Sequence, residues 1–137
     1  MLNLSIVIVN YRSWSKLEGC LLSIYQQKQK VKKVVIVDNL SDDGVIEGFI
    51  KKFPWAEWIK NESNAGFAAG CNLGAQNCSS NWLLFLNPDT RLPSDCLATL
   101  IPYCDQHPDF HLITIKQLSE SGKNLSLIHI SEPTRPY

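Results

Sequence analysis

The stretch Leu4-Ser5-Ile6-Val7-Ile8-Val9 decides the fold of this 137-residue chain. Its apolar residues form a nearly continuous run, which is typical of a strand that is buried on both faces of a sheet. Lys33–Val37 and Trp82–Leu86 repeat this pattern, with apolar residues at helical spacing between the runs. Buried strands that alternate with helices predict an α/β fold: an open, mostly parallel, Rossmann-like sheet with helices on both faces, in three layers.

Two helices are predicted early in the chain from apolar spacing and end signals. Trp14–Gln27 carries apolar residues one turn apart, and the segment from Ser15 to Glu18 has capping-box form. A shorter helix follows Asp43, which is predicted to cap it, and Pro54 is predicted to end it.

Weaker signals extend the alternation toward the end of the chain. A third helix is predicted over Ala65–Cys78, and a fourth opens at Ser94, with Pro102 expected to kink or end it. Ala56–Asn61 and His111–Ile115 are predicted as further strands.

The third helix is unusual because three glycines follow one another at i, i+4 and i+8, namely Gly66, Gly70 and Gly74. Each glycine costs about 1 kcal/mol relative to alanine inside a helix. Close approach to a strand, or to a ligand at the first turn, would compensate this cost. An adjacent stripe is predicted to face the core and comprises Phe67, Cys71, Ala75 and Cys78.

Composition and charge exclude several classes of protein. The chain has 45% hydrophobic and 19% charged residues, which is typical of one globular domain. Its 13 basic and 13 acidic side chains cancel, so no positive electrostatic field attracts nucleic acid. No apolar run is long enough to span a membrane, and no secretory signal is seen, so a cytoplasmic location is expected. The cysteines form no metal-binding pattern and are predicted as small core residues: Cys20, Cys71, Cys78, Cys96 and Cys104.

Polar residues follow the buried strands at the edge where parallel sheets bind ligands. The carboxylate of Asp38 can accept hydrogen bonds from a ribose hydroxyl or a base N–H, although Asp38 and Asp42 can equally organise a turn. Asp89, in Asn87-Pro88-Asp89, can hold Mg²⁺ or Mn²⁺ beside a diphosphate, or belong to a turn that ends the strand. Tyr11 can stack on a nucleobase or pack under the helix. The loop from residue 10 to residue 14 has no glycine, which argues against NAD binding.

Four segments, in this order, resemble the motifs of family 2 glycosyltransferases with the GT-A fold, and most closely those of the rhamnosyltransferase-like subgroup. The segments are Ser5–Tyr11, Val35–Asp43, Asn64–Gly74 and Leu84–Thr90. Four ordered motifs are far more specific than any one of them. The resemblance leads us to assign residues 1–123 to a nucleotide-sugar-binding region and residues 124–137 to a foreign or disordered tail.

The resemblance implies a role for each matched position. Asn10 and Tyr11 would flank the nucleobase, and Asp38 would bond the base or ribose of a nucleotide-diphospho-sugar. Three residues would shape the diphosphate and sugar side: Asn64, Gly66 and Asn72. Asp89 corresponds to the last Asp of the D-x-D motif and would coordinate Mg²⁺ or Mn²⁺. Asn87, also in the donor site, stands where many members have the first Asp, which leaves one fewer carboxylate.

The resemblance also implies the reaction. The donor would be a dTDP- or UDP-sugar, with rhamnose one candidate, and the sugar would pass with inversion to a glycan or lipid-linked acceptor in cell-surface polysaccharide synthesis. The enzyme would work in the cytoplasm, at the inner face of the cell membrane. The general base lies beyond the matched region in this family, so we expect donor binding without turnover. A non-catalytic nucleotide-binding or interaction domain is the alternative.

Overall fold

The computed structural model describes residues 2–119, in which strands and helices alternate. The elements in chain order are β1 (Leu2–Asn10), α1 (Trp14–Tyr25), β2 (Val31–Asp38), α2 (Ile46–Lys52), β3 (Glu57–Lys60), α3 (Phe67–Gln76), β4 (Trp82–Leu86) and α4 (Cys96–Gln106). The strands form a parallel sheet in the order β3-β2-β1-β4. The predicted open parallel α/β fold is confirmed.

The two faces of the sheet are covered by different helices, because successive side chains of a strand point to opposite faces. Ile8 of β1 belongs to a hydrophobic core that also contains Leu17 of α1 and Leu97 of α4, and side chains of α2 pack against it. Val7 and Val9 point to the other face and meet α3. The sheet therefore lies between two helical layers, as predicted.

The backbone of α3 lies so close to β1 that two of its glycines have no room for a side chain. A Cβ atom at Gly74 would overlap Cγ1 of Val7, and one at Gly70 would lie 2.8 Å from Cγ1 of Val9. The predicted close approach to a strand is confirmed. The predicted core stripe of this helix is wrong: its buried residues are the two glycines, and Phe67 is 56% exposed, because the glycine face is turned to the sheet.

The capping motifs predicted for the first two helices do not form. α1 starts at Trp14 with Ser13 as its N-cap, so Ser15 lies inside the helix and the predicted capping box is wrong. Nε1 of Trp14 donates a hydrogen bond to Asp43 Oδ2 at 2.8 Å. The N-cap of α2 is Val45 and not Asp43; Asp43 Oδ1 instead accepts the N–H of Val45 at 3.2 Å.

Three further predictions are wrong in the second half of the chain. β4 is only half-buried, and Phe85 is 45% exposed, because β4 pairs with β1 alone among the described residues. α4 continues through Pro102 to Gln106, so the proline does not end the helix, and a kink there stays a prediction; a proline removes one backbone hydrogen bond, and the turns on either side remain. Residues 111–115 are not a strand, because an alternating pattern becomes a strand only when another strand pairs with it.

Backbone contacts divide the chain into two units, Met1–Ile101 and Pro102–Tyr137. The first unit contains the sheet. In the second, the ring centroid of His107 lies 4.5 Å from that of Tyr103 and 4.6 Å from that of Phe110. Within residues 2–119, no helix is long and apolar enough to cross a membrane. The segment that sequence analysis assigns to a tail, residues 124–137, lies outside the described residues.

All five cysteines are free thiols. Cys20 and Cys104 are buried as predicted, whereas three are only half-buried: Cys71, Cys78 and Cys96. Burial, and secondarily the negative charge of Asp89, raises the pKa of Cys20 to about 12. The Cys20 thiol is therefore neutral at physiological pH.

Candidate functional site

The carboxyl ends of the parallel strands meet at one edge of the sheet, and a polar residue stands at each of them. Asn10 of β1 pairs in register with Asp38 of β2, Asn61 follows β3, and Asn87 follows β4. We call residues 10–13, 38–43, 61–66 and 87–90 the carboxyl edge. Neighbouring strands lie about 4.8 Å apart, so about 10 Å separates Asp38 from the end of β4, across β1.

Asp38 is 4% exposed, and its carboxylate accepts three hydrogen bonds. Oδ1 accepts Nδ2 of Asn10 at 2.9 Å and Oγ of Ser41 at 2.6 Å, and Oδ2 accepts the N–H of Ser41 at 3.1 Å. Asp38 does organise a turn, in which Leu40 and Asp42 adopt left-handed φ angles of 55° and 51°. A carboxylate has about four acceptor positions, so one remains on Oδ2.

The end of β1 carries a buried residue, Asn10, and the loop after it begins with a half-exposed one, Tyr11. Asn10 is fully buried, and its Oδ1 accepts the N–H of Ser13 at 3.2 Å, so its side chain supports the carboxyl edge from below. Tyr11 is half-exposed at the surface, and the guanidinium carbon of Arg12 lies over its ring, 5.4 Å from the centroid. Arg12, at φ 53°, donates from Nε to the carbonyl of Ser41 at 2.9 Å and joins this loop to the next.

The side chain of Asn39 joins the loop after β2 to both ends of the segment 61–66, and the sequence analysis gives it no role of its own. It is 2% exposed, its Nδ2 donates to the carbonyl of Gly66 at 3.0 Å, and its Oδ1 accepts Nδ2 of Asn61 at 3.0 Å. An Asn directly after a buried strand and beside Asp38 is the signal that could have indicated this role. Ser41 was missed in the same way, since serine is ordinary in turns.

The three positions expected on the diphosphate side are not all brought together. Asn64 is exposed, and its Oδ1 accepts the N–H of Gly66 at 3.3 Å. Gly66 is the N-cap of α3 and has φ 93°, a conformation that favours glycine. Asn72 is exposed and is the sixth residue of α3, about 8 Å along the helix axis from its start. Asn64 and Gly66 therefore share one loop, whereas Asn72 lies well inside the helix.

Asn87-Pro88-Asp89 forms a turn beyond β4, in which the N–H of Thr90 donates to the carbonyl of Asn87 at 3.0 Å. Both Asn87 and Asp89 are exposed. The carboxylate of Asp89 has no hydrogen-bond or ion-pair partner among residues 2–119, in contrast to that of Asp38. The two acidic residues of the carboxyl edge thus differ: one is held inside the fold, and the other is free to bind a ligand.

The loop that follows Asp89 is held at the end of α1 by the buried side chain of Gln27 and by Ser23 Oγ, which accepts the N–H of Leu92 at 3.0 Å. Nε2 of Gln27 donates to the carbonyls of Leu92 at 3.3 Å and Pro93 at 2.7 Å, and its Oε1 accepts the N–H of Leu97 at 3.1 Å. The sequence analysis missed Gln27 because a glutamine at a helix end carries no pattern of its own. This anchoring restricts the turn that carries Asp89.

The donor set at the carboxyl edge fits a divalent cation that is shared with a ligand. Within the described part of the chain, no group of three or more His, Cys, Asp or Glu side chains could hold a metal ion. Mg²⁺ binds commonly through one or two carboxylates, with the remaining positions taken by water and substrate phosphates. Asp89, an unpaired carboxylate, meets this requirement, and the neutral Asn87 beside it adds no second charge.

A family model described as glycosyl transferase family 2 matches residues 5–133. The chain belongs to this family. An uncharacterized glycosyltransferase of Haemophilus influenzae is 29% identical over 133 residues, which are 97% of this chain and 45% of that protein. Glycosyltransferase GlyA of Streptococcus pneumoniae is 31% identical over 101 residues, which are 71% of this chain and 14% of that protein. The chain thus spans less than half the length of these relatives.

Solved structures confirm the GT-A architecture of this family 2 chain. TarS residues 1–349 of S. aureus, in complex with UDP-GlcNAc, superposes with a TM-score of 0.70 at 20% identity, over 77% of this chain and 32% of that one. The mannosyltransferase PcManGT of Pyrobaculum calidifontis, in complex with GDP-Man and Mn²⁺, gives a TM-score of 0.67 at 21% identity, over 75% and 32%. At this level of identity the likeness concerns the fold.

Proposed function

We propose that this chain is the donor-binding part of an inverting family 2 glycosyltransferase, and that the carboxyl edge binds a nucleotide-diphospho-sugar. One observation carries the proposal: a buried, hydrogen-bonded Asp38 and an exposed, unpartnered Asp89 lie on either side of β1 at the same edge of the sheet. Family membership supports it, as do relatives of the same fold that were crystallised with UDP-GlcNAc and with GDP-Man.

The nucleoside would lie at the β1–β2 side of the carboxyl edge. The remaining acceptor position on Oδ2 of Asp38 can take one N–H or hydroxyl, and its charge makes that hydrogen bond stronger than a neutral one. Tyr11 offers a half-exposed ring for stacking on the base, on the order of 1–3 kcal/mol. Asn10, which the resemblance places beside the nucleobase, is fully buried, and together with Ser41 it would hold the Asp38 carboxylate in place.

The diphosphate would lie between Asp89 and the loop that precedes α3. Asp89 would hold Mg²⁺ or Mn²⁺, which supplies charge stabilisation for a departing nucleoside diphosphate. Asn64 and the backbone at Gly66 would face the phosphate side, and Asn72 would act from farther along α3. The buried anchor at Gln27 keeps the turn that carries Asp89 from moving away from the ligand.

The reaction that follows from this site is a single displacement. A hydroxyl oxygen of the acceptor forms a bond to the anomeric carbon while the bond from that carbon to the diphosphate oxygen breaks, and the hydroxyl proton passes to a general base. The two carboxylates named above are already occupied, Asp38 by three hydrogen bonds and Asp89 by the cation. We therefore assign no base to the described residues and expect donor binding without turnover by this chain alone.

The finer specificity is proposed from the motif resemblance. The donor is a dTDP- or UDP-sugar, with rhamnose among the candidates, and the acceptor is a glycan or a lipid-linked glycan of the cell surface. We place the reaction at the cytoplasmic side of the membrane, where nucleotide-sugars are available. We also propose that residues 1–123 form the native donor-binding region and that residues 124–137 form a tail without a role in binding.

Thermal melts of the 137-residue chain test donor binding directly, with UDP, dTDP or GDP, each with and without Mn²⁺. A ligand at 100 times its Kd adds about 2.7 kcal/mol of stability, a rise in Tm on the order of 10 °C for a domain of this size. We expect a metal-dependent rise that Asp89→Ala abolishes. Asp105→Ala, which removes another exposed aspartate, is the control and should retain the rise. A cooperative melt that no nucleotide shifts refutes the proposal.

The same experiment distinguishes a transferase donor site from the alternative, a non-catalytic nucleotide-binding domain. The chain spans 45% of its Haemophilus influenzae relative, which makes binding without catalysis the expected property of the isolated chain. Metal-dependent binding that also requires Asp89 supports a transferase donor site. Metal-independent binding that Asp89→Ala leaves unchanged favours the non-catalytic alternative.

A further inference from the structure

The side chain of Asn39 joins the end of β2 to both ends of the segment 61–66, and its backbone joins the end of β2 to that of β1. Its Nδ2 donates to the carbonyl of Gly66, and its Oδ1 accepts Nδ2 of Asn61, each at 3.0 Å. Its backbone N–H donates to the carbonyl of Asn10 at 2.9 Å. All hydrogen-bonding groups that face its neighbours are therefore used.

The surroundings of Gly66 show how much depends on this contact. Gly66 is exposed and has φ 93°, and a Cβ atom there would meet nothing within 4 Å. Its N–H is bonded only locally, to Asn64 Oδ1. Among the described residues, the bond from Asn39 Nδ2 ties the end of this loop to the sheet, whereas its start is held by the N–H of Asn61, which donates to the carbonyl of Asp38 at 2.9 Å.

The first turns of α3 are shaped to receive this amide. A Cβ atom at Gly70 would lie 3.3 Å from Nδ2 of Asn39, tighter than an ordinary contact, in addition to its contact with Val9. Gly70 thus leaves space for the Asn39 side chain between the helix and β2. A charged aspartate or a larger residue at position 39 could not make the same pair of bonds in this space.

We propose that Asn39 is a positioning residue that sets the loop containing Asn64 and Gly66 at a fixed distance from the Asp38 carboxylate. This inference rests on the proposed donor site, in which one ligand must contact both places at once. A ligand that spans two attachment points binds weakly when the distance between them varies, because it must then order the loop on binding. The hydrogen bonds of Asn39 order the loop in the free protein, so the donor does not have to order it on binding.

The direction of the two hydrogen bonds predicts that the effect of Asn39→Asp depends on pH. Nδ2 must face a carbonyl and Oδ1 must face an N–H donor, so Asn39→Asp places an oxygen against the Gly66 carbonyl. The charged form of that variant leaves two acceptors facing each other, whereas its protonated form can donate again. Burial at this position favours the protonated form, so the defect is expected to shrink as the pH falls.

The test is the Kd of UDP and of dTDP, each with Mn²⁺, measured by calorimetry for the 137-residue chain and its variants at pH 8 and pH 5.5. Loss of this hydrogen bond is expected to weaken nucleotide binding roughly tenfold in Asn39→Asp at pH 8, relative to the unaltered chain at the same pH. At pH 5.5 the ratio should fall to about threefold or less. Loss of fold alone does not predict this recovery.

Asn77→Asp is the matched control, since Nδ2 of Asn77 also donates to a helix carbonyl, that of Leu73, at 2.9 Å at the other end of α3. Its Kd should stay within about twofold of the unaltered chain at both pH values. Should Asn39→Asp not fold, Asn61→Ala decides the matter, because it removes only the donor to Asn39 Oδ1 and should weaken binding about fivefold.

The outcomes distinguish the inference from the function on which it rests. If the unaltered chain binds no nucleotide, the donor site itself is refuted, and this inference with it. If the unaltered chain binds and a folded Asn39→Asp or Asn61→Ala binds equally well, only the positioning role is overturned. A loss in Asn39→Asp that is the same at both pH values also overturns it.

Discussion

A substitution series at the helical glycines tests the packing of α3 against the sheet. In Gly74→Ala the new methyl group would overlap Cγ1 of Val7 and lie 3.3 Å from Cγ2 of Val37, both of which are buried. Replacing a helical glycine by alanine gains about 1 kcal/mol. Forcing a methyl group into a closely packed core costs roughly 1–3 kcal/mol, and this overlap lies at the upper end. We therefore expect a net loss of about 2 kcal/mol.

Two other glycines provide controls with the same change. A Cβ atom at Gly48 in α2 would meet nothing within 4 Å, so Gly48→Ala should stabilise the chain by about 0.5–1 kcal/mol. At Gly19 the nearest atom is Nε of Arg91, at 2.9 Å. This flexible, exposed side chain can move aside, so Gly19→Ala should be close to neutral.

Urea unfolding followed by tryptophan fluorescence measures the free energy of unfolding of each variant. In thermal melts the loss in Gly74→Ala corresponds to a fall in Tm of roughly 6–10 °C. The clash is specific, so combining Gly74→Ala with Val7→Ala should cost at least about 1 kcal/mol less than the sum of the single changes. If Gly74→Ala is as stable as the unaltered chain, or additive with Val7→Ala, the close approach of α3 to β1 is wrong.

Three further outcomes concern individual buried groups. Asp38→Asn should lower the free energy of unfolding by about 1–3 kcal/mol without any ligand, because an amide cannot accept all three hydrogen bonds; urea unfolding checks this, and an unchanged midpoint contradicts it. Gln27→Leu should cost about 2 kcal/mol in the same assay, because buried backbone groups lose their partner, whereas Leu at the exposed position Gln26 should change little. Because the pKa of Cys20 is raised from 9.0 to about 12, the stability it contributes is complete below pH 9 and is lost as the pH rises toward 12. Maleimide labelling at pH 7.5, read by mass spectrometry, should modify half-buried cysteines first, and rapid labelling of Cys20 in the folded chain would contradict its burial.

The class of fold was predictable because its signals are local and repeated. The apolar runs that form β1, β2 and β4 differ from the structure by at most a few terminal residues, since a strand buried on two faces requires such a run. The half-burial of β4 was not predictable from Trp82–Leu86. Burial of a strand depends on which strands flank it, and the sequence of β4 does not contain that information.

The positions of the site residues along the chain were predictable, but the difference between the buried Asp38 and the exposed Asp89 was not. The rule that ligands bind beyond the carboxyl ends of parallel strands selects Asn10, Asp38 and Asp89 correctly as residues of one edge. It treats the two carboxylates alike. The structure separates them, because Asn10 at the end of β1 and Ser41 in the loop after β2 donate to Asp38, whereas no described residue donates a hydrogen bond to Asp89.

This separation also explains why a single free carboxylate is compatible with metal-dependent donor binding. A second charge beside Asp89 would hold a cation more tightly in the absence of donor, whereas Asn87 leaves part of the cation's coordination to the diphosphate. Affinity for the cation should then depend strongly on the presence of nucleotide, and affinity for nucleotide equally on the cation, since the coupling between two ligands is reciprocal. In the proposed site, Asn87, at the position where many members of the family have the first aspartate of the motif, would thus favour binding of metal and donor together.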